Sequence, residues 1–259
     1  MKVAGIQMDI AWEQPAENYR RAEAKAKEAA DQGARLVVVP EMFATGFSMN
    51  AKLVSGFAEE TRRFLSNLTD RLGIFILAGY AEPGNPKPAN AASIFDPTGR
   101  EILHYRKIHP FSLAGEEKHF AGGDSVGTAE VEGVRVTPLI CYDLRFPEPF
   151  RATADNTDLF CVIANWPEVR RYHWSTLLRA RAIENQAFVL GVNRTGTGDG
   201  LDFTGDSALL NPLGEELATV SPGSEGCCYG EVQAEEVARR REQFSFLKDR
   251  RPEVFRSTP

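Results

Sequence analysis

Cysteine and histidine are scarce in this chain, four of each among 259 residues, and neither is arranged for the commoner uses of those side chains. The cysteines (Cys141, Cys161, Cys227, Cys228) include no C-x-x-C pair, and four in a chain of this length do not make a disulfide framework. Free thiols in a reducing compartment are expected. The histidines (His104, His109, His119, His173) form no H-E-x-x-H and no zinc-type spacing with a cysteine, so no metal site and no cofactor is expected. Papain-like and caspase-like signatures, a Walker loop and G-x-G-x-x-G are also missing. Basic excess is missing too: the formal net charge is −6 and the pI about 5.4. A nucleic-acid partner is therefore not expected. No apolar run approaches membrane-spanning length, and the first acid, Asp9, falls too early for a signal peptide, so a cytoplasmic protein with no membrane partner is expected.

What is present is an ordinary globular composition, 42% apolar and 25% charged, enough to bury a sizeable core. KVAGIQM reads as a buried strand, and Tyr19, Ala22, Ala26 and Ala29 then recur at helical spacing across residues 16–32. RLVVVPE (35–41) and an amphipathic helix over 59–72 repeat that order. Next come IFILAGY (74–80), a Pro/Gly/Asn-rich loop (81–90), ASIFD (92–96) and EILHYRK (101–107), which read as a meander of paired strands. Strands are further expected in 128–141, at 158–165 and 188–193, and in SALLNP, ELATV and GCCYGEV, with a helix near 172–186. About a dozen strands and four or five helices, without a linker, exceed one ordinary open sheet. The expected architecture is α/β, a four-layer α-β-β-α sandwich formed by a single domain over 1–240. The basic, aromatic-spaced tail 241–259 reads as a disordered end or as an arm packed on a partner subunit.

Three strand ends carry chemically useful residues. VTPLICYDLRFPEPF (136–150) brings an apolar strand to Cys141 and then turns, which presents a thiol where following backbone N–H groups are free to bind an oxyanion. A buried strand terminus is the plainer alternative, since free cysteine is often fully buried. VVVPEMF places Glu41, and HYRKIHPF places Lys107, at two further ends. Singly, each is explained as a capping carboxylate or a solvated lysine. Together, an acid, a lysine and a thiol meet the needs of amide hydrolysis without a histidine.

VVVPEMFATG, HYRKIHPF and LICYDLRFPE, in that order, resemble the three signatures of the nitrilase (carbon-nitrogen hydrolase) superfamily, and the resemblance runs from GIQMD to NPLGEELATV. It implies Glu41 as general base, Lys107 as oxyanion stabiliser and Cys141 as nucleophile, with the backbone N–H of Tyr142 as a second oxyanion donor. It also implies a second glutamate in LAGEEKHF, for which Glu116 is favoured and Glu117 is the alternative. A homodimer extending the sandwich to eight layers is implied as well. CYDLRFP, VIANWP, RAIENQAFVLGVNRTG and GDSALLNPLGE resemble the omega-amidase branch, whose substrates are terminal amides of 2-oxo acids such as 2-oxoglutaramate and 2-oxosuccinamate. A carboxylate-bearing substrate needs a fixed cation, and Arg145 is the candidate, with an ion pair to a nearby acid as the structural alternative. Tyr142, Trp166 and Phe43 are candidates to line the pocket, while Arg181 and Glu184 read as a structural pair on the long helix. Other amides, such as deaminated glutathione or N-carbamoyl compounds, a non-catalytic binding module and a redox sensor using Cys141 remain as alternatives.

Overall fold

The computed structural model describes residues 1–255. In chain order its strands and helices are β1 (Lys2–Gln7), α1 (Pro15–Asp31), β2 (Leu36–Val38), α2 (Ala51–Ser55), α3 (Ala58–Leu72), β3 (Phe75–Glu82), β4 (Ala89–Phe95) and β5 (Glu101–Arg106). There follow α4 (Glu116–His119), β6 (Ala129–Val131), β7 (Val134–Ile140), α5 (Pro147–Thr153), β8 (Leu159–Ala164), α6 (Arg171–Asn185) and β9 (Phe188–Asn193). The last are β10 (Thr195–Gly198), β11 (Leu201–Thr204), β12 (Ala208–Leu210), β13 (Glu216–Thr219), β14 (Gly226–Glu231), α7 (Ala234–Gln243) and α8 (Pro252–Phe255).

The strands form two six-stranded sheets, in the orders β14-β1-β2-β3-β4-β5 and β13-β12-β9-β8-β7-β6, with β10 and β11 a separate hairpin. Each large sheet has a parallel centre, β1-β2-β3 in one and β7-β8-β9 in the other, flanked by antiparallel strands. Alternation along the strands decides what faces what. On β1 and β2, Val3, Leu36 and Val38 join the cluster between the sheets, whereas Ala4, Ile6 and Val37 face the side covered by α1 and α3. Helix α6 covers the second sheet with Trp174, Leu178 and Ala182. The result is the expected α-β-β-α sandwich.

Close contact between the sheets depends on missing side chains. A Cβ at Gly5 would lie 2.8 Å from Val192 Cγ2, and one at Gly79 would lie 2.6 Å from Ile163 Cδ1 and 2.8 Å from Glu41 Cα. The second clash bears directly on the site.

Some elements were not anticipated. Fourteen strands and eight α-helices occur among the described residues; α2, α4 and α8 are only four or five residues long, and the β10–β11 hairpin lies in TGTGDGLDFT. Helix α7 runs through residue 240, and the residues from 241 onward pack on their own chain: Arg241, in the last turn of α7, donates to the carbonyls of Thr157 and Asn185, Leu247 is buried, and Arg250 pairs with Asp155 at 2.6 Å. The last residues of the expected tail, 256–259, lie outside the described residues. No helix among the described residues is long and apolar enough to cross a membrane.

Candidate active site

The two sheets contribute different parts of one buried cluster. Glu41 lies just beyond β2, in a turn kept beside β3 by the Phe43 N–H donating to the Gly79 carbonyl. Lys107 follows β5 directly, with its own N–H donating to the carbonyl of Asn90 on β4. Both side chains are sealed from solvent, and Lys107 Nζ donates to Glu41 Oε1 at 3.0 Å and to Glu116 Oε2 at 2.8 Å. Cys141 comes from the other sheet, at the end of β7, with φ of +45°, in the left-handed region where a residue with a Cβ is strained.

Two amides complete the cluster. Asn90 Nδ2 donates to Glu41 Oε1 at 2.7 Å and to Glu116 Oε1 at 3.0 Å, so it bridges the two carboxylates as Lys107 does. Asn165, just past β8, donates its backbone N–H to Glu41 Oε2 at 2.8 Å and its Nδ2 to the Glu41 carbonyl at 2.7 Å. Its own carbonyl oxygen lies 3.9 Å from Cys141 Sγ. Glu41 is thereby fixed at both carboxylate oxygens and at its backbone. Glu116 is fully buried and also accepts the Phe111 N–H at 2.6 Å, while Glu117 is exposed, so only Glu116 enters the cluster.

Two carboxylates, one ammonium and a thiol share this dry space, and their charges oppose one another. Burial alone would push the Lys107 ammonium down, but Glu116 and then Glu41 hold it above its ordinary pKa. Burial pushes the Cys141 thiol well up, Glu41 adds to that, and Lys107 opposes it. Its surroundings favour the neutral thiol, so a bond formed at Sγ calls for removal of that proton.

A cavity of about 110 Å³ opens over Cys141. This is below the roughly 300–1,000 Å³ of drug-sized ligand sites and suits a small molecule. Tyr142, Arg145 and Trp166 line it as expected, together with Phe47 and Phe111. The Arg145 guanidinium sits 4.7 Å from the Trp166 ring centroid and 3.4 Å from His173 Nδ1. Among the described residues no carboxylate lies within ion-pair distance of it, so the structural ion pair is not formed. Arg181 and Glu184 do pair, at 2.8 Å, and Arg181 also holds the Leu144 carbonyl at 2.7 Å behind the Cys141 turn.

Phe43 is a correction. It does not line the cavity; it is fully buried on the helix-covered side, with ring centroids 6.1 Å from Tyr19 and 6.2 Å from Phe64. The side chain nearest the role foreseen for it is Phe47, whose ring centroid is 5.0 Å from Lys107 Nζ. Asn90 and Asn165 were also missed. Asn165 had a usable signal, because β8 is the parallel neighbour of β7 and their ends rise together, Ile140 opposite Ile163. Asn90 had none, since it closes the Pro/Gly/Asn-rich stretch 81–90 and reads as turn chemistry.

This sandwich, with a thiol from one sheet facing an ammonium and carboxylates from the other, defines an enzyme of the cysteine-dependent amidase class. The chain belongs to the carbon-nitrogen hydrolase family, which it matches over residues 2–242. It is 36% identical to the omega-amidase YafV of Yersinia enterocolitica across 96% of both chains, and 34% identical to the 2-oxoglutaramate amidase of Bacillus subtilis across 98% of both. Among solved structures, a CN-hydrolase superfamily protein from Xanthomonas campestris with an arsenic adduct in its active site superposes with a TM-score of 0.90 at 32% identity, covering 97% of each chain. A mutant amidase from Nesterenkonia sp. AN1, carrying acrylamide added at its active site cysteine, superposes with a TM-score of 0.84 at 25% identity, over 95% of this chain and 98% of that one.

Proposed function

We propose that the protein hydrolyses the terminal amide of small 2-oxo acid amides, 2-oxoglutaramate and 2-oxosuccinamate, to the acid and ammonia. The observation that carries this reading is that Cys141, whose charged neighbours are the buried Glu41 and Lys107, lines one small cavity together with Arg145, a guanidinium that has no carboxylate partner among the described residues. Of the two bacterial relatives, one is named an omega-amidase and the other a 2-oxoglutaramate amidase, which supports the first of these substrates.

In this reading Glu41 takes the thiol proton as Sγ attacks the amide carbon. Lys107 and the Tyr142 backbone N–H stabilise the oxyanion of the tetrahedral intermediate. Glu41 returns the proton to nitrogen, the carbon–nitrogen bond breaks, and ammonia leaves a thioester on Cys141. A water molecule, deprotonated by Glu41, attacks the thioester carbon; the carbon–sulfur bond breaks, the acid departs and the thiol regains its proton. Glu116 and Asn90 keep Lys107 and Glu41 in place throughout. Arg145, stacked on Trp166, binds the substrate carboxylate at the far end and so selects carboxylate-bearing amides.

The test is ammonia release from 2-oxoglutaramate, with succinamate as second substrate, by the native chain, Cys141→Ala and Arg145→Leu. Release that disappears in Cys141→Ala, and that needs a much higher substrate concentration in Arg145→Leu, supports the reading. No release from either substrate by folded native protein rejects the substrate assignment. Equal KM in Arg145→Leu rejects the carboxylate contact.

We further propose a cytoplasmic homodimer. Four free cysteines suit a reducing compartment. Tyr172 and Ile183 on α6, with Leu213 and Leu217 around the β12–β13 turn, are exposed apolar side chains available to a second copy. Sedimentation of the native chain at twice the 28.6 kDa monomer mass is the expected result.

A further inference from the structure

Between the lysine strand and the cysteine turn lies a second polar cluster, separate from Glu41 and Glu116. Its centre is Asp143, a fully buried carboxylate two residues after the nucleophile. Four donors converge on it. Oδ2 accepts the Tyr105 hydroxyl at 2.6 Å and the Ile140 N–H at 3.1 Å. Oδ1 accepts the His109 N–H at 3.0 Å and His109 Nδ1 at 2.8 Å, which fixes the ring tautomer as Nδ1–H. The His109 ring is in turn stacked on Phe146, with centroids 3.8 Å apart and planes 9° from parallel. Tyr105 also accepts the Ile108 N–H at 3.3 Å. Burial, then the charge of Asp143, push the Tyr105 phenol well above its ordinary pKa, so it stays a donor.

The sequence positions of these groups carry the argument. Tyr105 and His109 stand two residues before and two residues after Lys107, while Ile140 and Asp143 bracket Cys141. These two segments belong to different sheets, so no ladder of backbone hydrogen bonds fixes the distance between them. We propose that Tyr105, His109 and Asp143 are positioning residues that clamp the Lys107 segment to the Cys141 turn and thereby hold the ammonium at its working distance from the thiol. This rests on the reading of Lys107 as oxyanion donor and Cys141 as nucleophile. Displacement of a catalytic group by about 1 Å can lower a rate about 100-fold, so loss of either arm of the clamp acts on turnover more than on substrate binding.

The experiment compares Tyr105→Phe, His109→Leu and His109→Asn with the native chain in two assays. One is turnover of 2-oxoglutaramate; the other is alkylation of Cys141 by iodoacetamide as a function of pH, followed by intact mass, which needs no substrate assignment. With the clamp loosened, Lys107 moves away from the thiol, and the alkylation profile of Tyr105→Phe and His109→Leu shifts to higher pH. Their kcat falls about 10- to 100-fold with KM within about threefold. His109→Asn, which keeps an N–H donor near the place of Nδ1, recovers most of both losses. Folded Tyr105→Phe and His109→Leu proteins with native alkylation profiles overturn the proposal, as does an equal defect in His109→Leu and His109→Asn. If the native chain leaves 2-oxoglutaramate intact while the alkylation profiles shift as described, the substrate reading fails and the clamp stands.

Discussion

Glu116→Gln separates the charge of the second carboxylate from its shape. Glu116 accepts three hydrogen bonds, from Lys107 Nζ, the Phe111 N–H and Asn90 Nδ2, and is sealed from solvent. A hydrogen bond to a charged group contributes roughly 1.5–3 kcal/mol, against about 0.5–1.5 for a neutral pair. Glutamine keeps an oxygen toward Lys107 and Phe111 but loses about 1 kcal/mol at each, and it sets an amide N–H against the Asn90 donor. Asn90 can answer only by turning its unpaired Oδ1 to the new amide, which withdraws Nδ2 from Glu41. The expected loss of stability is about 2–4 kcal/mol, read by urea denaturation at neutral pH. Turnover should fall about 100-fold as Lys107 and Glu41 lose their shared partner. The thiol should respond in the opposite sense: Glu116 is one of the charges that raise the Cys141 pKa, so its removal makes alkylation faster at a given pH. Glu117→Gln, on an exposed side chain, should leave stability within about 0.5 kcal/mol. Native stability and turnover in Glu116→Gln, or a larger effect at Glu117, would refute the reasoning.

Other outcomes follow from the same geometry. Gly79→Ala drives a methyl group into Ile163 and the Glu41 backbone, so it should destabilise by about 1–3 kcal/mol and reduce kcat; wild-type kcat in the purified variant would show that the turn at Glu41 yields without consequence. Phe43→Leu should lower stability by about 1 kcal/mol with KM unchanged, since its ring packs on Tyr19 and Phe64 outside the cavity; a raised KM would return it to the pocket. Alkali should destabilise the fold. Burial raises the thiols of Cys141 and Cys161, and that of Cys228 to about 12, so their contribution is complete below the unfolded thiol pKa of about 8.5 and is lost as pH rises toward the folded values. Cys161→Val should flatten the decline in urea midpoint above about pH 8.5, and an unaltered slope would remove that thiol from the account.

Much of the site was legible because its chemistry sits where apolar runs stop. Glu41, Lys107 and Cys141 each follow a stretch whose β-branched or alternating pattern marks a strand, and a strand end is a place the sequence shows without any tertiary information. Side-chain direction beyond that end was not legible. Phe43, two residues past Glu41, follows a turn in which Met42 has φ of +45°, and no residue pattern announces that reversal. The α7 helix, AEEVARRREQ, was hidden because its exposed faces are almost wholly charged and only Val237 is buried, which leaves no apolar stripe to mark a helix. The choice between Glu116 and Glu117 is a matter of which side of a four-residue helix meets Lys107, and that depends on the Phe111 N–H and Asn90 reaching the same carboxylate.

The deeper reason is that the cluster spans two sheets. Within one sheet, the ladder fixes neighbours: β2, β3, β4 and β5 carry Glu41, Asn90 and Lys107 to adjacent places by register alone. Cys141 and Asn165 arrive from the other sheet, and their distance from Glu41 is set by how closely two faces of side chains approach. Gly79 permits that approach under Glu41; Asn165 then fastens the second sheet to Glu41 by two hydrogen bonds shorter than 3 Å, and Asp143 fastens it to the segment around Lys107. Glu41 and the Lys107 segment thus each have their own polar tie to the second sheet. Apolar packing alone tolerates shifts of a fraction of an ångström at modest energetic expense, whereas proton transfer and oxyanion binding do not. The buried polar ties are what convert a packed sandwich into a site with fixed distances, and they are made by Asn, Tyr, His and Asp residues that carry no reacting atom themselves.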